Sequence, residues 1–134
     1  MEAASWFGDL DAEEHAWSIE VEGRFVGTVR LHSFVAADER ASVAIAIFDA
    51  TLLGRGYGTE ALQLLVRHAF SGLGLHRLSV RVLASNARAV RCYEKCGFRH
   101  EGRERESARV GHGWEDDFIM GLVRPSEDDD GPAQ

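Results

Sequence analysis

Apolar and polar residues alternate from Trp17 to Glu22, with Trp17, Ile19 and Val21 against Ser18, Glu20 and Glu22, the period-two pattern of a half-buried strand. Gly23 breaks the pattern, and Phe25 to His32 resumes it with β-branched and aromatic residues. The pair predicts an antiparallel hairpin turning at Glu22-Gly23-Arg24. Ser33 to Arg40 reads as loop. From Ala41 to Phe48 the chain is almost wholly apolar, as expected of a central strand covered on both faces, and the run ends at Asp49.

The period then changes. Leu62, Leu65, Val66 and Ala69 recur at i, i+3, i+4 and i+7, which predicts an amphipathic helix to about Phe70, stopped by Ser71-Gly72-Leu73-Gly74. His76 to Leu83 reads as a buried strand. Asn86 is a good N-cap for a helix carrying Ala89, Val90, Tyr93 and Cys96, with Gly97 as its left-handed stop. Phe98 to Ser107 is a charged strand suited to an edge, and Trp114, Asp116, Phe118, Met120 and Leu122 alternate along a last one. Residues 1–16 are expected to hold one short helix with Trp6, Phe7 and Leu10 on one side. The fold class is mixed α/β (α+β), a mostly antiparallel sheet with one parallel βαβ crossover at its centre. We expect one domain over residues 1–124 and a solvated, disordered acidic tail over 125–134.

Composition narrows the chemistry. At 134 residues, folding can bury roughly two-thirds of the surface that an unfolded chain exposes, enough for a core and an internal cleft. A balance of 15 Lys+Arg against 22 Asp+Glu, net −7, argues against a nucleic-acid partner and suits a cationic small molecule. No secretory signal and no run of about 18 apolar residues is present, so a cytoplasmic location with no membrane partner is expected. Cys92 and Cys96, four apart on the second helix, predict two reduced thiols. The six histidines are scattered, so no metal is expected.

Gly54, Gly56 and Gly58 lie between an apolar strand and a helix, where backbone N–H groups can approach an anion without Cβ obstruction, aided by the helix dipole, Arg55 and the Thr59 hydroxyl. By composition alone this is either a phosphate cradle or a turn that binds nothing. A Walker loop needs a lysine that Gly54 to Thr59 lacks. A dinucleotide fingerprint needs a different last spacing and an acidic residue where Val80 stands.

Two motifs, Leu53-Gly54-Arg55-Gly56-Tyr57-Gly58-Thr59-Glu60-Ala61-Leu62 and Leu83-Ala84-Ser85-Asn86-Ala87-Arg88-Ala89-Val90-Arg91-Cys92-Tyr93-Glu94-Lys95-Cys96-Gly97-Phe98, stand in order, followed by Glu101-Gly102 and Asp116. Together they resemble the GNAT N-acetyltransferase superfamily, most closely its ribosomal-protein and polyamine N-acetyltransferase branches, from about Trp17 to Val123. The resemblance implies acetyl transfer from acetyl-CoA to an amine. It places the pyrophosphate on the backbone of Leu53, Gly54, Arg55, Gly56, Tyr57, Gly58 and Thr59. It lays the pantetheine along Ala46, Ile47 and Phe48, where that strand and the strand from His76 to Leu83 splay apart. Asn86 then hydrogen-bonds the pantetheine and Tyr93 points its hydroxyl at the thioester sulfur; read from the residues alone, they are an N-cap and a packed aromatic. Expelling a thiolate calls for such a proton donor. An alkyl ammonium, only about one part in a thousand neutral at pH 7, calls for a base.

Many members of that family carry a glutamate in the strand before the glycine loop, whereas Ser42 to Ile47 holds no carboxylate. Candidate bases are Asp116, His32 and Glu39, with Asp116 equally suited to orienting substrate or to an ion pair. Leu53 stands where the family usually has glutamine or arginine. The family's strand and two helices before the hairpin are reduced here to about 16 residues, so part of the acceptor wall is expected to be missing. A trimmed fold, completion by a partner chain and a late start of the reading frame all fit, and exposed apolar surface there would favour a homodimer. A catalytically silent CoA-binding domain, acting as sensor or interaction module, and transfer of a longer acyl group are the rival readings. The acceptor is a small-molecule or peptide amine, with peptide N-terminus, polyamine, aminoglycoside and amino acid all open.

Overall fold

The computed structural model describes residues 4–11, 14–47 and 55–126. Strands β1 (Ala4–Asp11), β2 (Glu14–Val21), β3 (Arg24–Val35) and β4 (Arg40–Ile47) come first. Helix α1 (Tyr57–Arg67), strand β5 (Arg77–Leu83), helix α2 (Ala87–Lys95) and strands β6 (Arg99–Val110) and β7 (Gly113–Val123) follow. They form one seven-stranded sheet in the order β1-β2-β3-β4-β5-β7-β6. The β4–β5 pair is parallel and the other ladders are antiparallel, so the central crossover runs through α1 as the hydrophobic periods predict.

The β2–β3 hairpin turns on Glu22 (φ 53°) and Gly23 (φ 79°), two left-handed residues whose twist matches that of the flanking strands. Beyond His32 the segment read as loop instead extends β3 to Val35. A register shift and a left-handed Ser33 (φ 55°) mark a bulge, and a short 3₁₀ turn at Ala36–Asp38 follows. α1 ends at Arg67 and widens into a π turn, His68–Gly72. Asn86 caps α2 by accepting a hydrogen bond from the Ala89 N–H at 3.2 Å, and Gly97 (φ 99°) ends it in the left-handed region. β6 lies at the sheet edge, as its charge suggested.

Two expectations are corrected. Residues 4–11 form no helix: β1 pairs antiparallel with β2, Trp6 opposite Trp17 and Asp9 opposite His15. The spacing of Trp6, Phe7 and Leu10 fits one helical side, but Gly8 weakens a helix, and a ready strand partner begins at Glu14. Pairing overrides the local pattern, with register shifts between Trp6 and Gly8 and between Asp9 and Asp11. Second, among the described residues β4 is covered by helices on one face and not on both. Its buried positions are Ala41 and Val43, while Ala46 is exposed. Leu62 and Leu65 of α1 and Tyr93 of α2 join Val43, Leu78, Val80 and Val82 in one core, so both helices lie on the same side of the sheet. Arg40, Ser42, Ala44 and Ala46 of β4 and Arg77, Ser79 and Arg81 of β5 face the other way. Among the described residues no helix covers that side. The acidic tail expected at 125–134 lies outside the described residues from position 127 onward.

Candidate functional site

The β4–β5 ladder is short. It pairs Arg40 with Arg77, Ala41 with Leu78 and Ser42 with Ser79, and then stops, although β4 continues to Ile47 and β5 to Leu83. Arg40 Nη2 donates to Ser79 Oγ at 2.8 Å, which ties the closed end of the gap. On its far edge β4 stays paired with β3 as far as Gly27 opposite Ile47, so the strand is held firmly while its inner edge leaves β5. Ala46 and Ile47 therefore lie beside an opening of the sheet, where an extended ligand can meet main-chain groups as a strand would.

A cavity of about 290 Å³ occupies this gap. Val43, Ile45, Val80 and Tyr93 line it from the helix side, and His32, Ser42, Ala44, Ser79 and Arg81 line it from the helix-free side, with Ile119 adjoining. The cavity thus passes through the plane of the sheet. Tyr93 is 4% exposed and its ring meets Phe98 edge-on at 5.5 Å, which fixes its direction. Burial, and then the neighbouring thiols of Cys92 and Cys96, push the phenol well above its ordinary range. It stays protonated at neutral pH. Uncharged in this pocket, it is not poised to take the first proton from an ammonium.

The glycine-rich turn enters α1 through Gly56, whose φ of 87° is open to glycine at little cost. No side chain caps that end of the helix. A Cβ on Gly58 would sit 3.8 Å from Ile45 Cδ1 and 3.9 Å from Cys92 Sγ, so the first turn of α1 is seated between β4 and α2. Arg55 is exposed beside it. The Thr59 hydroxyl, expected to reach for phosphate, instead donates to Cys92 Sγ at 3.3 Å, and Cys96 Sγ donates to the Thr59 carbonyl at 3.7 Å. Both cysteines are free thiols. The Cys96 hydrogen bond pulls the Cys92 thiol down, with Thr59 and Lys95 adding to the effect against burial, while the same contact and burial push Cys96 up.

The structure thus gathers Tyr93, Ala46 and Ile47 at the gap, Asn86 at the head of the helix bearing Tyr93, and Gly56, Tyr57, Gly58 and Thr59 at the head of the helix packed against it. Phe48, Leu53 and Gly54 lie outside the described residues. Asp116 stands apart from the cavity walls. Its Oδ1 accepts from the Glu106 N–H at 2.8 Å and its Oδ2 from Arg103 Nε at 2.6 Å, and these bonds hold the carboxyl below the usual carboxylate range. It braces the irregular stretch of β6 where Glu106 is left-handed (φ 48°). The Glu39 side chain is exposed, and its carbonyl instead accepts from the His76 N–H at 2.7 Å and the Arg77 N–H at 3.2 Å at the start of β5. Of the three candidate bases, His32 is the one that lines the cavity.

Ser42, Ser79 and Arg81 escaped the sequence reading as site residues. Their signal was present: each is a polar interruption of an otherwise apolar strand, and the two serines face one another. Among the described residues no group of three or more metal-ligating side chains occurs.

Comparison with known proteins agrees with this geometry. The family described as acetyltransferase (GNAT) domain matches residues 1–99. A probable N-acetyltransferase of Bacillus subtilis, YjcK, is 31% identical over 107 residues, 80% of this chain and 59% of that protein. The spermidine N(1)-acetyltransferase of Escherichia coli K12 is 32% identical over 92 residues, 69% of this chain and 49% of that protein. The dodecameric structure of spermidine N-acetyltransferase from Vibrio cholerae superposes with a TM-score of 0.78 at 25% identity, covering 84% of this chain and 66% of that one. The chain spans between about half and two-thirds of the length of these relatives. By its matched family, its splayed central strands and the tyrosine above them, the chain belongs to the GNAT acetyltransferases.

Proposed function

We propose that the chain catalyses transfer of an acetyl group from acetyl-CoA to a primary amine, and that the amine is a small cation of the polyamine type. The observation that carries this reading is the open β4–β5 gap with a buried tyrosine on its helix side. The residues fit the donor. The uncapped start of α1 at Gly56, with Arg55 beside it, offers backbone N–H groups and a cation to a diphosphate, as do Leu53 and Gly54 by sequence. The inner edge of β4 at Ala46 and Ile47, with Phe48 by sequence, offers main-chain pairing to the pantetheine, and Asn86 at the head of α2 offers its amide donors. Acetyl-CoA supplies a thioester, an activated acyl group.

The protein's part is to hold that group at the gap and to manage protons. Tyr93 donates a hydrogen bond to the sulfur as the amine nitrogen bonds to the acyl carbon and negative charge grows on the leaving atom. Its raised proton affinity makes it a poor source of a free proton, so Tyr93 acts as a relay that regains from the amine what it gives to sulfur.

A net charge of −7 favours a cationic acceptor, and two relatives named for spermidine point the same way. The dodecameric neighbour supports self-association, so we include a homo-oligomer in the proposal. The test is thiol release from acetyl-CoA with spermidine, kanamycin, a peptide N-terminus and a free amino acid as acceptors. Release with spermidine well above the acceptor-free rate is expected. No release with any of the four overturns the reading.

A further inference from the structure

We propose that His32 is the base of the reaction, taking a proton from an ammonium group that enters from the helix-free face of the sheet. The proposal rests on the acetyl-transfer reading above. Its ground is a division of the cavity by the sheet itself. The register sets His32 opposite Ser42 and Ser42 opposite Ser79, so three polar side chains form one row across β3, β4 and β5 on the side away from Tyr93. All three line the cavity, as does Tyr93 from the other side. Donor and acceptor of protons then face each other across the opening of one sheet. Both helices occupy the tyrosine side, which leaves the histidine side as the approach for a second substrate.

The ring is positioned for this role. His32 Nδ1 lies 2.9 Å from Ser33 Oγ, and Ser33 sits in a left-handed bulge (φ 55°) that turns it back beside the histidine. In the tautomer whose Nδ1–H donates to that hydroxyl, Nε2 carries the lone pair. On this face stand Arg30 on β3, Arg40 on β4, and Arg77 and Arg81 on β5, and on β2 the register puts Glu14 across from His32, next to the His15–Leu31 pair; Arg77 pairs with Glu101, and Arg81 with Glu104 and Asp117. Tyr93 on the opposite side is uncharged.

The protons balance. His32 Nε2 removes one proton from the ammonium and passes it to solvent. The neutral nitrogen then forms the C–N bond as the C–S bond breaks. Its second proton replaces the one that Tyr93 gives to sulfur, so the products are the acetylated amine, a free thiol and one released proton.

Two measurements test the assignment. Histidine ¹⁵N NMR of the free wild-type protein gives the titration midpoint of His32, and kcat/KM against pH is followed with the fastest acceptor among the four amines. The acidic limb of that profile is expected to coincide with the NMR midpoint. His32→Gln is expected to lower kcat/KM at pH 7 by about 10²-fold or more, to lose that limb, and to recover towards pH 10 as the amine deprotonates itself. Acetyl-CoA affinity by calorimetry should stay within about twofold. Midpoints more than about one unit apart, or a His32→Gln profile that keeps the wild-type shape and rate, would overturn the role of His32 while leaving acetyl transfer intact. A wild-type protein inactive with every amine would overturn both. If His32→Gln folds poorly, the coincidence of limb and NMR midpoint in the wild type decides alone.

Discussion

Ser42 and Ser79 face each other as the last pair of the parallel β4–β5 ladder, and the sheet opens immediately beyond them. Everything assigned to the site is measured from that point. Tyr93 stands on one side of the opening, His32 on the other, and the inner edge of β4 runs outward along it towards the start of α1.

Tyr93→Phe keeps the ring that packs on Phe98 and removes only the hydroxyl. Turnover should fall by roughly 10²-fold or more with acetyl-CoA affinity nearly unchanged. Rates at saturating acetyl-CoA and calorimetric titration with CoA separate the two effects. Unchanged turnover would remove the phenol from the chemistry.

How much of this was legible in the chain depended on how local each signal is. The hairpin turn, the Asn86 cap and the Gly97 stop were readable because each is fixed by two or three neighbouring residues. The first strand was not, because Trp6, Phe7 and Leu10 satisfy a helical spacing and only the partner β2 decides otherwise. His32 could be named only as one of three candidates. Its place in the cavity follows from the register of three strands, which no single segment encodes. Asp116 looked suited to chemistry as a carboxylate among aromatics, but its partners Arg103 and the Glu106 N–H come from another strand through an irregular pairing that periodicity does not reveal.

Gly56→Ala probes the entry to α1. An added Cβ would meet nothing within 4 Å, so its cost is that of holding a side-chain-bearing residue at φ 87°. Urea unfolding should show a loss of about 1–2 kcal/mol. CoA binding should weaken as the turn reshapes. Wild-type stability would show that this residue is not required to be left-handed.

The sulfur pair offers a test independent of substrate. Cys92 is held down to about 6 chiefly by the Cys96 thiol, so thiolate absorbance should titrate near that pH in the wild type and move upward in Cys96→Ala. The direction is set by loss of a donor to the Cys92 sulfur. A midpoint that does not move would show that Thr59 and Lys95 carry the effect.

Asp116→Asn should separate bracing from catalysis. The Arg103 ion pair and the Glu106 N–H bond are weakened while the cavity walls are untouched, so amide exchange at Glu106 should quicken and kcat should change little. Because the folded carboxyl is held below its ordinary range, its contribution to stability is complete above the unfolded value and is lost as pH falls through the folded one. The melting-temperature gap between wild type and Asp116→Asn should therefore close in acid. A gap that persists unchanged at low pH would mean that the carboxylate charge is not what braces β6.

Asn86 carries two proposed duties that use different atoms. Its Oδ1 caps α2 through the Ala89 N–H, while the Nδ2 donors take no part in that bond. Asn86→Asp keeps an acceptor at the N-cap, where a negative charge also suits the helix dipole, but removes the amide donors. Stability should be retained and CoA affinity reduced, the more so because a carboxylate would repel an anionic ligand. Asn86→Ala removes both functions and should cost about 1 kcal/mol of stability together with the affinity. Thermal unfolding and calorimetry on the pair resolve the question. If Asn86→Asp binds CoA as the wild type does, the residue is a cap alone, and the pantetheine must be held by the inner edge of β4 without it.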